Sequence, residues 1–219
     1  MATYTTYTTL VSDVQNFIQR GGSNASDPVV FAQIPRLINA AERKLALMLK
    51  IQGIITPIVD LTGLQQGNPV VTKPDRWRQT VSLNFGTGTG NNTRLPLFPR
   101  SYEYCRSFWP DDTATGIPAF YADWDYQHWL IAPTPDQTYP LEVVAYLLPV
   151  LLDSNNQSNF WSEFAPNALL YGTLLEAMPF LGKDDRVEIW RSYWQQELAA
   201  LDGMDLQKIM DRASQRTKA

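Results

Sequence analysis

Three observations predict an α+β fold, with an antiparallel helical bundle formed by N- and C-terminal helices and an antiparallel β lobe inserted between them. Apolar residues recur at helical spacing towards both ends of the 219-residue chain. That period vanishes over the middle, where Pro, Gly, Asn and Thr punctuate short β-branched and aromatic runs. The expected division is 1–53 for the first helices, 54–152 for the β lobe, and 153–219 for the last helices and tail.

Leu10, Val14, Phe17 and Ile18 share one helical face before Gly21-Gly22-Ser23-Asn24 breaks the chain. Ile34, Leu37, Ile38, Ala41, Leu45, Met48 and Leu49 mark the stripe of a second helix over roughly 29–52, with Asn39, Glu42, Arg43 and Lys50 off the stripe and Gly53 as its stop. Candidate strands follow at 54–61, 80–85, 120–122, 126–132 and 141–147. The last two flank the turn-rich Pro133-Thr134-Pro135-Asp136-Gln137-Thr138 and are expected to form an antiparallel hairpin. Helical spacing returns at Phe160, and Ala165-Pro166 places a proline in the first turn of a helix running through Leu169, Leu170, Leu174, Leu175 and Met178 to a cap at Gly182. Asp184 is placed to start the last helix, which turns Val187, Trp190, Trp194, Leu198 and Leu201 inward. All four helices have an apolar face that needs covering, which a bundle supplies. Its expected core includes Leu37, Leu45, Leu170, Leu174, Trp190 and Trp194.

Composition narrows the function. Charged residues make up 18% of the chain against the usual quarter, so something other than open solvent is expected to cover part of its surface. Of the 7 Trp, 10 Tyr and 9 Phe, many sit in the Pro-rich middle, as the core of the β lobe or as interface anchors, with the core the simpler reading. A net charge of −4 argues against a protein that grips a nucleic-acid backbone, which takes clustered Lys and Arg. One cysteine, Cys105, cannot make an internal disulfide and suits a reducing cytoplasm. The opening residues carry no secretory pattern, and the most apolar run, 141–152, contains Glu142 and Pro149 and is too short to span a bilayer. A soluble cytoplasmic product without membrane contact is expected.

No pattern points to catalysis, a cofactor or a metal. Gly86-Thr87-Gly88-Thr89-Gly90 leads into Asn91-Asn92 rather than into a helix whose amides could present a phosphate, and reads as a hairpin tip. His128 is the single histidine; strand alternation puts it with Tyr126 and Leu130 on one side and Gln127, Trp129 and Ile131 on the other. One histidine and one cysteine cannot furnish a zinc site, and Asp111-Asp112 lacks calcium-loop spacing. Asp123 and Asp125 flank Trp124 but read as a turn pair rather than as glycosidase carboxylates. A carbohydrate-binding module using Trp124, Tyr126 and Trp129 as a platform is the alternative from another class.

The C-terminal zone, Phe160-Trp161 and Ala165-Pro166-Asn167-Ala168-Leu169-Leu170-Tyr171-Gly172-Thr173-Leu174-Leu175-Glu176-Ala177-Met178-Pro179-Phe180-Leu181 followed by Asp184-Asp185-Arg186 and Trp190, resembles the head-to-tail adaptor, or head-completion, proteins of tailed bacteriophages. Leu37-Ile38-Asn39-Ala40-Ala41-Glu42-Arg43-Lys44-Leu45, Ile117-Pro118-Ala119-Phe120-Tyr121 and Ala132-Pro133-Thr134-Pro135-Asp136 agree in order and spacing. The resemblance implies a structural virion protein without enzymatic activity. It implies a ring, usually twelve-fold, at the head-tail junction, assembled in the host cytoplasm and set between portal protein and tail or nozzle proteins. A modestly acidic wall would let DNA pass along the channel without specific binding. Another tail structural subunit would share this composition. For portal contact the expected residues are Lys208, Arg212, Arg216 and Lys218 in the polar tail, which otherwise reads as a frayed terminus.

Overall fold

Leu141, Val143, Ala145 and Leu147 alternate along one strand and all face the interior, the two-residue period of a sheet with one covered face. The structure, a computed structural model, describes residues 5–18, 28–49, 54–86, 93–181 and 185–216. It falls into two compact units, Met1–Ile54 with Leu148–Ala219, and Ile55–Leu147. In chain order the elements are α1 (Tyr7–Ile18), α2 (Pro28–Met48), β1 (Ile55–Leu64), β2 (Val70–Thr72), β3 (Trp77–Phe85), β4 (Leu95–Pro99), α3 (Tyr102–Phe108), β5 (Thr115–Gly116), β6 (Phe120–Asp123), β7 (His128–Ala132), β8 (Thr134–Pro135), β9 (Tyr139–Leu147), α4 (Phe160–Phe164), α5 (Pro166–Glu176), α6 (Met178–Leu181) and α7 (Val187–Arg216). The expected break at residues 21–24, the off-stripe Lys50, the stop Gly53, the cap Gly182 and the start Asp184 lie outside the described residues.

Within Ile55–Leu147, seven strands form one sheet in the order β1-β9-β3-β4-β6-β7-β2, and β5 pairs with β8. The lobe is not wholly antiparallel, because β4 runs parallel to β6 and β5 parallel to β8. Nor do 126–132 and 141–147 form a hairpin. Strand β7 lies between β6 and β2, and β9 between β1 and β3, so both edges of each are taken by other partners. The intervening Thr134–Pro135 pairs with Thr115–Gly116 instead of making a free turn. Pro57, which has no N–H to donate, sits on the edge strand β1, where the sheet tolerates it. Trp129 is fully buried beside Leu83, Phe85, Ile131 and Val143 in the core of the sheet.

Helix α3 was not apparent from apolar period, since Cys105 alone among its residues is buried. Its signals are local: Ser101 caps it by accepting from the Tyr104 amide at 3.2 Å, Glu103 stands in the first turn and Arg106 in the last. Cys105 packs with Ala122, Leu130 and Ala132. Strand β7 is thus covered on both sides, which explains its run of buried residues from Trp129 to Ala132.

In the helical unit, α5 contacts α1, α2, α4, α6 and α7 and buries Ala168, Leu169, Gly172, Thr173 and Leu174. A Cβ at Gly172 would stand 3.1 Å from Trp194 Nε1 and 3.5 Å from the Ala41 Cβ, so the missing side chain lets α7 and α2 both approach the α5 backbone. Ala41 against Gly172 and the 2.8 Å ion pair of Lys44 with Glu176 advance together along the two helices, so α2 and α5 pass in the same sense. Gly172 against Trp194 and the Asn167–Glu197 hydrogen bond run oppositely, making α5 and α7 antiparallel. An antiparallel bundle was expected, and α5 and α7 run that way; α2 and α5 depart from it because Ile55–Leu147 intervenes between them and no short loop obliges them to reverse.

Glu42, assigned by spacing to the solvated side of α2, is 1% exposed. Its carboxylate accepts from the Leu152 amide at 3.1 Å and from the Asn159 side chain. The Asn39 amide, oriented nitrogen inward, donates to it at 3.2 Å. Asn159 also caps α4 through Trp161 and Ser162. A charge whose acceptors are filled can enter a core, and apolar period cannot reveal that. Conversely, Met48 and Phe17, expected on the inner stripes, are exposed. The polar 155–158 stretch ties in α1: Gln157 accepts from the Tyr7 amide at 2.8 Å and from the Thr8 hydroxyl at 2.9 Å.

Burial raises the Glu42 pKa above the ordinary glutamate value, with the hydrogen bonds from Asn159 and Leu152 pulling against it. A raised folded value favours the protonated form, so this contribution to stability is fully present at low pH and is lost as pH rises through the folded pKa. Glu42→Ala strands the Leu152 and Asn159 donors and is expected to lower the unfolding free energy by about 2–4 kcal/mol in urea titrations. Glu42→Gln keeps an acceptor, loses less, and flattens that part of the stability-pH curve.

Candidate interaction surfaces

Two exposed surfaces of Ile55–Leu147 are built with more care than solvated loops require. The first is the tip joining β6 to β7. Asp125 Oδ1 accepts from the Gln127 amide at 2.6 Å and the His128 amide at 2.7 Å, and its Oδ2 lies 2.8 Å from His128 Nδ1. This turn is closed by its own aspartate. The His128 hydrogen bond, followed by the backbone donors, holds the Asp125 carboxyl below the usual carboxylate range.

Lys73, with its side chain 3% exposed, fixes the tip from behind. Its Nζ lies 2.7 Å from Asp123 Oδ1, 2.8 Å from the Asp125 carbonyl and 3.8 Å from the Trp77 ring centroid. A buried ammonium is tolerated because a carboxylate, a carbonyl and a π face replace its water. The tip then presents Trp124 and Tyr126 outward, the latter 76% exposed. Trp129 belongs to the sheet core, so the three rings do not form the carbohydrate platform considered from the sequence.

The second surface lies on α3 and the strands beside it. Tyr104 and Phe108 stack at 6.1 Å, and Phe120 meets them edge-on at 5.5 and 5.1 Å. Phe98, Tyr104 and Phe108 are exposed. The Arg100 guanidinium lies 5.4 Å from the Tyr104 ring and 5.6 Å from Phe120, and it makes no ion pair among the described residues. Arg106 differs, being paired with Asp112 and stacked on Tyr102. Aromatic rings gathered round an arginine are the composition of contact hot spots.

Of the residues expected in the bundle core, Leu37, Leu45, Leu174, Trp190 and Trp194 are buried; Leu170 is only partly so, and Leu169 is fully buried. Lys208, Arg212 and Arg216 lie on the last turns of α7, and Lys218 lies outside the described residues, as do residues 87–92 of the glycine-rich loop. Among the described residues there is no group of three or more His, Cys, Asp or Glu able to hold a metal, and no helix long and apolar enough to cross a membrane. Sequence reasoning missed Lys73 and Arg100. Their partners Asp123 and Phe120 are distant in the chain, and only the proline-flanked basic residues in Lys73-Pro74 and Pro99-Arg100 signalled a fixed backbone at each.

Two exposed aromatic surfaces thus stand on ordered supports within Ile55–Leu147. The SU10 adaptor protein family model matches residues 5–218, and the chain belongs to that family, in agreement with its resemblance to head-to-tail adaptors. No curated protein matches it. Among solved structures, it is similar to a chain described as the neck of an empty GTA particle computed with C6 symmetry, at 14% identity and a TM-score of 0.29, over 82% of this chain and 87% of that one.

The buried lysine gives the tip a test. Asp123→Ala leaves the ammonium inside with only a carbonyl and a ring, and is expected to cost about 2–3 kcal/mol by urea denaturation. Lys73→Met removes the charge while keeping a stem against Trp77, and the freed Asp123 is largely hydrated; a smaller loss is expected.

Proposed function

We propose that this chain is a structural virion protein, a head-to-tail adaptor that forms a ring bound to the portal and joins it to tail or nozzle proteins, and that it is not an enzyme. Membership of an adaptor family over residues 5–218 carries the reading. The exposed rings of the β6–β7 tip and of α3 support it, since a ring subunit needs unlike surfaces for its two neighbours. In this reading 1–53 and 153–219 supply the helical bundle, 54–152 is the inserted lobe, and the ring is a homododecamer at the head-tail junction, assembled in the host cytoplasm. DNA passes through the channel without specific binding, as the net charge of −4 favours. The basic positions Lys208, Arg212, Arg216 and Lys218 near the end of the chain contact acidic portal surfaces.

Native mass spectrometry of the protein mixed with portal rings from the same particle is expected to give a discrete complex with one copy per portal subunit. A chain that stays unbound under conditions where those portals accept another completion protein would overturn the adaptor reading.

A further inference from the structure

We propose that adjacent copies of this chain join through the β6–β7 tip of one, with Trp124, Asp125 and Tyr126 seated on the Arg100, Tyr104 and Phe108 platform of the next. The proposal rests on the ring reading and assigns its subunit contact.

The two surfaces complement each other in charge. Asp125 carries an exposed carboxylate whose partners within the chain are two backbone amides and the His128 ring. Arg100 carries a guanidinium with ring faces beneath it and no carboxylate among the described residues. An arginine-carboxylate contact between copies gives Arg100 a carboxylate and adds a cation to the Asp125–His128 pair. They also complement each other in apolar character. Trp124 and Tyr126 on one side, and Phe98, Tyr104 and Phe108 on the other, are exposed aromatics whose burial would stabilise a contact.

Both surfaces are already ordered. Lys73 and Asp125 fix the tip, and the edge-on and stacked rings fix the platform, so association orders few side chains. Arg100 stands beside strand β6, its amide donating to the Tyr121 carbonyl at 2.9 Å, and the tip begins where that strand ends at Asp123. A tip of one copy on the platform of the next, repeated in one direction, is a head-to-tail contact, the kind from which a ring closes.

The test uses the full chain in two variants that leave Lys73, Asp123, Asp125 and His128 in place: a tip variant, Trp124→Ser with Tyr126→Ser, and a platform variant, Arg100→Glu with Phe108→Ser. Each alone is expected to weaken self-association at least tenfold by sedimentation velocity. Mixed in equal amounts, they are expected to form a one-to-one heterodimer in native mass spectrometry, because one intact tip remains to meet one intact platform. As a readout independent of altered folding, Tyr126→Cys combined with Phe98→Cys is expected to give a ladder of disulfide-linked copies on oxidation, which neither single cysteine variant gives. Rings unchanged in both variants, with no ladder, would overturn this contact and leave the ring reading standing. Intact variant rings that lose a tail protein would overturn the second copy as occupant. A wild-type chain that forms no ring with or without portal would overturn both readings.

Discussion

Helix α5 is the constraint on which the helical unit depends. It is apolar around much of its circumference, so no single neighbour can cover it, and the helices that do so come from both ends of the chain. Gly172 allows this, letting Ala41 of α2 and Trp194 of α7 reach the same stretch of backbone. Burying large side chains such as Leu169, Trp190 and Trp194 stabilises by roughly 1.5–3 kcal/mol each, enough to hold distant segments together. One consequence is topological. The chain leaves after α2 and returns before α4, with Ile55–Leu147 folding as a unit of its own, and Glu42 marks the return by gripping Leu152 and Asn159.

Much of this was legible in the sequence, to differing depths. Helical period located α1, α2, α5 and α7 because each has an inner face, yet it misplaced Glu42, Met48 and Phe17 and favoured Leu170 alongside Leu169. Period records the number of apolar positions, while the face that ends up inside depends on which neighbours arrive. Strands β1, β3, β6, β7 and β9 were legible from alternation and β-branched or aromatic runs; β2 and β4 were not, the first being three residues long and the second carrying Pro96 and Pro99. Their pairing was beyond reach because local turn chemistry suggested a hairpin where a long-range mixed sheet formed.

The surfaces followed the same logic. Asp125 read correctly as a turn residue, since its Asx turn is local, while Asp123, expected in the same turn, closes strand β6. Lys73 behind them, and the rings of Phe98, Tyr104, Phe108 and Phe120, come from separate elements and meet only in the fold. Low charge and abundant aromatics had suggested that something other than water covers part of the surface. Exposed rings stand on α3 and at the β6–β7 tip, and other apolar side chains such as Leu61, Ile117 and Phe164 are exposed elsewhere.

The role of α5 is tested most directly by native-state hydrogen exchange of the intact chain. If α5 holds the helical unit together, its amides exchange slowest in that unit, and the buried turns of α2 around Ala41 and of α7 around Trp194 open with them at the same free energy. Slow exchange that persists in α2 or α7 while the amides of α5 exchange freely would contradict it.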